Sequence, residues 1–487
     1  MGAVSAAEAV ARQSYGKLVA FLAARTRDVA GAEDALSEAF AAALAEWPVS
    51  GIPRTPEAWL LTVARRRMVD ATRRRITAEE AEPTLVMLSD EIEPEMEEIP
   101  DDRLRLMFAC AHPALEAGVR APLILQTVLG FDAGRIASAF LVAPSAMSQR
   151  LVRAKSRIRQ AGIPFRVPER DELPERLDAV LSAVYAVYSE GWADPAGTAS
   201  ASRGLVEEGI WLGRLLAALM PDEPEVLGLL SLMLHTEARR SARRDAQGEF
   251  VPLLQQDPAR WDAAAIGEAE SLLLRASSFG RPGRFQLEAA VQSVHAARRH
   301  TGVTDWASVV QLYDVLLAQT GSIIIAINRA VALAAARSAG PDGADLAGAR
   351  GAALGGVAQA DVAAPADAAS PRGGNVVPID RAAPPRGRAA RWRATRMAAA
   401  QAAEQEAASG SAASAKAGAL EGLAILDVLE SDARLAEYQP YWAARAALLA
   451  QSGQTKDAAR AYERAIGLEA DPALRRYLQR QMDALKN

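Results

Sequence analysis

Residues 131–159 read "FDAGRIASAFLVAPSAMSQRLVRAKSRIR", and this stretch decides the fold. Ile136 and Phe140 stand four apart and predict a short helix with one apolar face. The segment "LVAP" breaks it. Pro144 suits the first turn of the next helix, where its missing N–H has no partner to lose. That second helix places Met147, Leu151 and Ile158 on the inside and presents Ser148, Gln149, Arg150, Arg153, Lys155 and Arg157. These are the dimensions of a helix-turn-helix. Short polar side chains near the N-terminus can reach base edges in a major groove, while the bases behind them hold phosphates.

The surrounding composition agrees with a helical chain. Its 487 residues are 50% hydrophobic but only 5% aromatic, and strand-type runs are few, which predicts an all-α protein of roughly two to four domains. A single cysteine, Cys110, excludes a disulfide framework and fits a reducing compartment. The four histidines show no HxxxH or HExxH spacing, and "CAH" at 110–112 has nothing near it to complete a tetrahedron. No metal and no cofactor is expected. The N-terminus lacks the basic start and apolar core of a signal peptide, and no apolar run reaches bilayer length, so a cytoplasmic protein without a membrane partner is expected.

Charge falls in blocks. Residues 1–78 carry eleven Lys/Arg and eight Asp/Glu, residues 79–102 eleven acids and no base, and residues 103–166 ten Lys/Arg against Glu116 and Asp132. This reads as two helical modules on an acidic tether, the second basic enough to be drawn to nucleic acid. In the first module, "GAEDALSEAFAAALAEW" (31–47) puts Leu36, Phe40 and Leu44 on one stripe and Glu33, Asp34, Ser37 and Glu38 on other faces. "PVSGIPRTP" (48–56) predicts a loop. A helix from Glu57 then carries "ARRRMVDATRRR" (64–75), six arginines in twelve residues.

Residues 172–337 continue as helices with short connections. Residues 338–418 collapse to Ala, Gly, Pro, Ser and Arg and predict a disordered insertion, with a transient helix near "RMAAAQAAEQEAA". In residues 419–487, Trp442, Ala446, Gly453, Ala458, Tyr462 and Ala465 fall at tetratricopeptide spacing, predicting a small α-solenoid.

Several stretches in a fixed order resemble the extracytoplasmic-function sub-group of sigma-70-type sigma factors. "GAEDALSEAFAAALAEW", the Pro/Gly loop and "PEAWLLTVARRRMVD" are similar to region 2, bounded here as 8–78. "DDRLRLMFACAHPAL" through "LVRAKSRIRQAGIPFRVP" is similar to region 4, bounded as 103–166 after the 79–102 linker. "ELPERLDAVLSAVYAVYSEGW", "PDEPEVLGLLSLML", "RPGRFQLEAAVQSVHA" and "INRAVALA" resemble a helical extension ending in tetratricopeptide-like repeats. The sequence departs from the family's pattern at Ser37, Arg66, Ala111 and Pro144.

The resemblance implies a non-enzymatic protein. Asp34, Ser37 and Glu38 would meet the β′ clamp helices of core RNA polymerase, with the β subunit as a further partner. The 48–56 loop with Arg54 and Thr55 would receive a flipped base of the −10 element. Trp59, Arg65, Arg66, Arg67, Arg73 and Arg74 would hold the separated strand. Ser145, Ser148, Gln149, Arg150, Arg153, Lys155 and Arg157 would contact the −35 duplex. The extension would take a protein partner or dock on the two modules and regulate them. Two other readings stay open: a one-component helix-turn-helix regulator with an effector-binding solenoid, and a tetratricopeptide scaffold.

Overall fold

The computed structural model describes residues 3–75, 101–140, 142–169, 172–192, 200–339 and 411–486. Among these residues the structure is helices and turns, with one isolated bridge between Arg244 and Phe250. The all-α expectation holds. The chain divides into two compact units, residues 1–192 with 200–212, and residues 193–199 with 213–487.

The first unit is built around α1 (Ala3–Thr26), which packs against α2 (Val29–Ser50), α3 (Pro56–Arg75), α4 (Arg103–Cys110) and α5 (Ala117–Leu129). Leu18 through Ala23 are all buried. Asp28 starts α2 by accepting the Gly31 N–H at 3.0 Å, a side-chain N-cap. The apolar stripe of α2 is not the predicted one. Val29, Ala32, Ala35, Leu36, Ala39, Ala43 and Trp47 are buried, while Leu44 is 46% exposed. Small residues win the interior face because they let α1 and α3 approach closely.

The helix also runs through Pro48 to Ser50, past its expected end at Trp47, and stops at Gly51 (φ 87°). Proline removes one intrahelical bond, but in a last turn at the surface the carbonyl left over can face water. The predicted 48–56 loop therefore shrinks to residues 51–55.

The remaining helices of this unit are α6 (Ala133–Ala139), α7 (Pro144–Gln160), α8 (Leu173–Trp192) and the first part of α9 (Ser200–Leu219). Gly16 of α1 lies so close to α5 that a Cβ would stand 2.0 Å from the Val128 carbonyl oxygen. Helix α8 packs on α4 and α5, burying Leu177, Val180, Leu181 and Val184, and Arg176 donates to the Phe108 carbonyl at 3.0 Å. Residues 79–100 of the acidic stretch lie outside the described residues. Its last two acids are held in the fold: Asp101 pairs with Arg103 at 2.5 Å and buried Asp102 with Arg25 at 3.3 Å.

In the second unit, α10 (Pro224–Glu237) is covered by α11 (Ala263–Ser278) and α12 (Arg284–Ala296). Glu225 accepts the N–H groups of Phe285 and Gln286 at 2.9 and 3.1 Å, placing a carboxylate at the positive end of α12. After α13 (Arg298–Thr301) and α14 (Trp306–Thr320), helices α15 (Ile323–Ala339), α16 (Ser411–Leu429), α17 (Gln439–Ser452), α18 (Thr455–Leu468) and α19 (Pro472–Asp483) share a continuous core.

The predicted insertion is shorter than 338–418. Ser338 and Ala339 finish α15, and Ser411–Gly418 begin α16, with Ser414 Oγ donating to the Arg337 carbonyl at 2.8 Å. Gly418 faces Arg337 and Gly422 faces the Ala330 carbonyl, so the two helices run antiparallel at a separation only small residues allow. Residues 340–410, including "RMAAAQAAEQEAA", lie outside the described residues. In the last helices Ala446, Ala458, Tyr462 and Ala465 are buried, and Gly453 ends α17 in the left-handed region at φ 86°.

Candidate polymerase and nucleic-acid interface

Two surfaces of the first unit collect the residues singled out from the sequence. On the first, Asp34, Ser37 and Glu38 are exposed on α2. The Ser37 hydroxyl donates to the Glu33 carbonyl at 2.8 Å within its own helix, so its acceptor capacity remains outward. Glu38 lies 3.3 Å from Arg67, a half-exposed pair of small energetic weight. Arg54 and Thr55 are exposed in the 51–55 connection, and Val49 and Ile52 beside them are exposed apolar residues. Trp59 is half-buried with its ring edge-on to buried Trp47, centroids 5.5 Å apart. Arg65 is half-buried, and Arg66 and Arg67 are exposed. Arg73 and Arg74 stand in the last turn of α3, but their side chains lie outside the described residues.

The second surface is α7. Asp132 accepts the N–H groups of Gly134 and Arg135, both at 2.9 Å, and so fixes the start of α6. Phe140 lies in a turn at the end of α6, and Pro144 opens α7. Helix α7 buries Met147, Leu151, Ala154 and Ile158. Ser145, Ser148, Gln149, Arg150, Arg153 and Arg157 are exposed. Among the described residues no hydrogen bond or ion pair holds the side chains of Gln149, Arg150, Arg153 or Arg157.

Lys155 is different. Its Nζ lies 2.5 Å from Glu33 Oε2, and both side chains are only 11% exposed. Arg159 Nη1 reaches Asp28 of α2 at 3.4 Å. One flank of α7 is therefore bonded to α2 while the other faces solvent. Burial pushes the Glu33 carboxyl above its ordinary range, and Lys155 offsets only part of that rise. Cys110 is buried 3.4 Å from the Thr127 hydroxyl, and burial pushes its thiol up to about 12, which keeps it protonated and inert. His112 Nδ1 accepts the Ala114 N–H at 3.1 Å, a turn-forming contact.

Sequence reasoning missed two residues. Glu33 was placed away from the apolar stripe, yet it follows Val29 by four and precedes Leu36 by three, so helical phase alone puts it on the buried face. The second is Val152 of α7, 59% exposed. It stands about 130° around the helix from the centre of the buried face, on the exposed side.

These surfaces offer hydrogen-bond donors, cations and a few apolar side chains, which suits binding of a polyanion and of an acid-recognising protein surface. Among the described residues no helix is long and apolar enough to cross a membrane, and no cluster of three or more His, Cys, Asp or Glu side chains could hold a metal ion.

Comparison with known proteins adds three findings. Residues 10–76, spanning most of α1 to α3, match the family described as sigma-70 region 2. Residues 176–277 match a family of unknown function, DUF6596. A protein of Rhizobium meliloti (strain 1021), described as uncharacterized, is 39% identical over 326 residues, covering 65% of this chain and 76% of that protein. No solved structure matches the chain. The chain thus belongs to the family of the Rhizobium protein, and the sigma-70 region 2 in its first three helices supports a sigma-70-type factor, suggests a role in transcription initiation and implies binding to core RNA polymerase and promoter DNA.

Proposed function

We propose that this protein is an extracytoplasmic-function-type sigma factor that reads two promoter elements with the two surfaces just described. Helix α2 meets the polymerase clamp through Asp34, Ser37 and Glu38. The 51–55 connection and the arginine face of α3 hold the opened −10 strand, and a flipped base is accessible only once the strands have separated. Helix α7 lies in the major groove of the −35 duplex. The observation that carries this reading is the solvent-facing side of α7. Gln149, Arg150, Arg153 and Arg157 line it in a unit that also carries the sigma-70 region 2 match. A one-component regulator or a tetratricopeptide scaffold leaves the acidic face of α2 without a task.

The helices from α10 onward form an extension that acts on the two surfaces in cis, and its last helices have tetratricopeptide-like character. Support comes from the small buried residues at α17 and α18 and the left-handed glycine between them. The test is run-off transcription with purified core polymerase on the DNA upstream of the protein's own gene. Initiation at a defined position, dependent on this protein, is expected. Core-dependent silence with intact, folded protein would exclude the reading.

A further inference from the structure

Single exposed apolar residues are ordinary on protein surfaces and need no explanation. What distinguishes Val152 is its company. Successive residues of an α-helix step about 100° around the axis. Counting from the buried face formed by Met147, Leu151, Ala154 and Ile158, the side turned away from it carries the row Ser145, Gln149, Val152 and Ser156, with Val152 on the edge toward Arg159. Three of the four are hydrogen-bonding side chains. Val152 is the exception, midway along the row though at its edge toward Arg159, with 59% of its surface open.

The row is bordered on both sides by charge. On one side stand Arg150, Arg153 and Arg157, and on the other Lys155 and Arg159, which are paired with Glu33 and Asp28. A solvated helix face merely tolerates a branched aliphatic residue in that position, whereas a helix lying in a major groove has a use for one. The four base pairs differ there in hydrogen-bonding groups and in one apolar group, the C5-methyl of thymine. The γ-methyls of a valine at the middle of the contact row match that group and nothing else on the groove floor.

We propose that Val152 is the residue with which α7 selects a thymine in the −35 duplex, by van der Waals contact between its γ-methyls and the thymine C5-methyl. The proposal rests on the reading of α7 as the duplex-contacting helix. Within that reading it assigns specificity to a residue with no hydrogen-bonding capacity, beside Gln149, whose amide can address a neighbouring base, and Arg153, whose reach extends to phosphate.

The contact can be removed from either side. Deoxyuridine differs from thymidine only by the methyl, and Val152→Ala removes only the two γ-methyls from a side chain that is 59% exposed. Holoenzyme reconstituted from core polymerase and the full chain is bound to a promoter duplex. Each thymine of the −35 element, on both strands, is replaced in turn by deoxyuridine. One position is expected at which the wild-type holoenzyme loses about fourfold in affinity, the effect of one buried methyl. The Val152→Ala holoenzyme should lose a similar factor on unmodified DNA and show no further loss with deoxyuridine at that position. Val152→Thr, which keeps one γ-methyl, should fall between. Promoter-selective binding that is indifferent to every thymine methyl would overturn the proposal. So would a Val152→Ala loss that persists undiminished on the deoxyuridine duplex. Absence of any promoter-selective, core-dependent binding would instead remove the sigma-factor reading itself, and the proposal with it.

Discussion

The Glu33–Lys155 pair shows what a single buried charge does to this protein. Both side chains are almost withdrawn from water, and the upward displacement of the Glu33 carboxyl means that burial outweighs the attraction of its partner. Losing the two partners should therefore have unequal effects. Lys155→Met strands a buried carboxylate and should cost about 3–5 kcal/mol of stability. Glu33→Gln leaves a lysine whose flexible stem can carry its ammonium to solvent, and should cost clearly less. Urea denaturation of the two variants checks the order, and equal losses would show that the pair is not desolvated in solution. The same residue marks a limit of sequence reading. Its place in the helical phase was available, but its partner lies 122 residues away in the chain. No local pattern announces such a partner, and an acid next to a run of alanines looks like a solvated face until α7 is set against it.

Among the elements, existence was easier to foresee than extent. Proline and glycine signals located the starts of α3 and α7 and the end of α17 to within a residue or two, because the backbone constraints behind them are local. The interior face of α2 was misjudged because alanine carries too little apolar surface to stand out in a periodicity count. Its burial is decided by how close α1 and α3 come. The exposed acids of α2 were legible, since Asp34 and Glu38 stand four apart and project from one side. Reversing both to Lys should leave thermal stability nearly unchanged and weaken co-purification with core polymerase by an order of magnitude or so. Undiminished co-purification would take α2 out of the interface.

In α10 and α12, burial holds His235 and His295 near a pKa of about 3, with Arg239 lowering both further and Arg298 adding to the effect on His295. A histidine whose folded pKa is depressed contributes stability that is complete above its unfolded pKa near 6.5 and is lost as pH falls toward 3. At pH 4.5 each should have forfeited about 2–3 kcal/mol. Glu288 on α12, raised by its own burial, works in the opposite direction and recovers part of the loss. Melting of the second unit should thus move to lower temperature between pH 7 and 4.5, and His295→Gln should narrow that gap. An unchanged gap would place the acid sensitivity elsewhere.

At the scale of the whole molecule, the compact units do not follow the boundaries that composition suggests. Residues 172–212 look like the start of an extension, yet α8 and the first part of α9 complete the first unit. A chain ended after Arg170 would leave α4 and α5 without the leucine and valine face of α8, and the Phe108 carbonyl without Arg176. Such a fragment should aggregate or melt well below one ended after Leu212, as expression and thermal melting of the two would reveal. A short Gly/Ser linker in place of residues 340–410 should shift the melting temperature little, because α15 and α16 meet through Ser414 and Gly418 rather than through the intervening chain. A large drop would mean that the segment packs.

The bonds between α2 and α7 also bear on how this protein responds to ionic strength. Elements named −10 and −35 are separated by about 25 base pairs, or about 85 Å of duplex at the usual rise, whereas Glu33 and Lys155 are in contact. On the proposed reading the −10 strand is held by the 51–55 connection and by α3, which packs on α2, so occupying both elements at once requires α2 and α7 to part. Lys155 and Arg159 would then exchange a carboxylate for a phosphate, and that exchange would leave the number of neutralised cations unchanged. Fewer counterions are released from the DNA–protein system than the basic residues of α7 would suggest. The logarithm of affinity should fall with the logarithm of salt less steeply than their count implies, and Glu33→Gln, which frees Lys155 beforehand, should make that fall steeper.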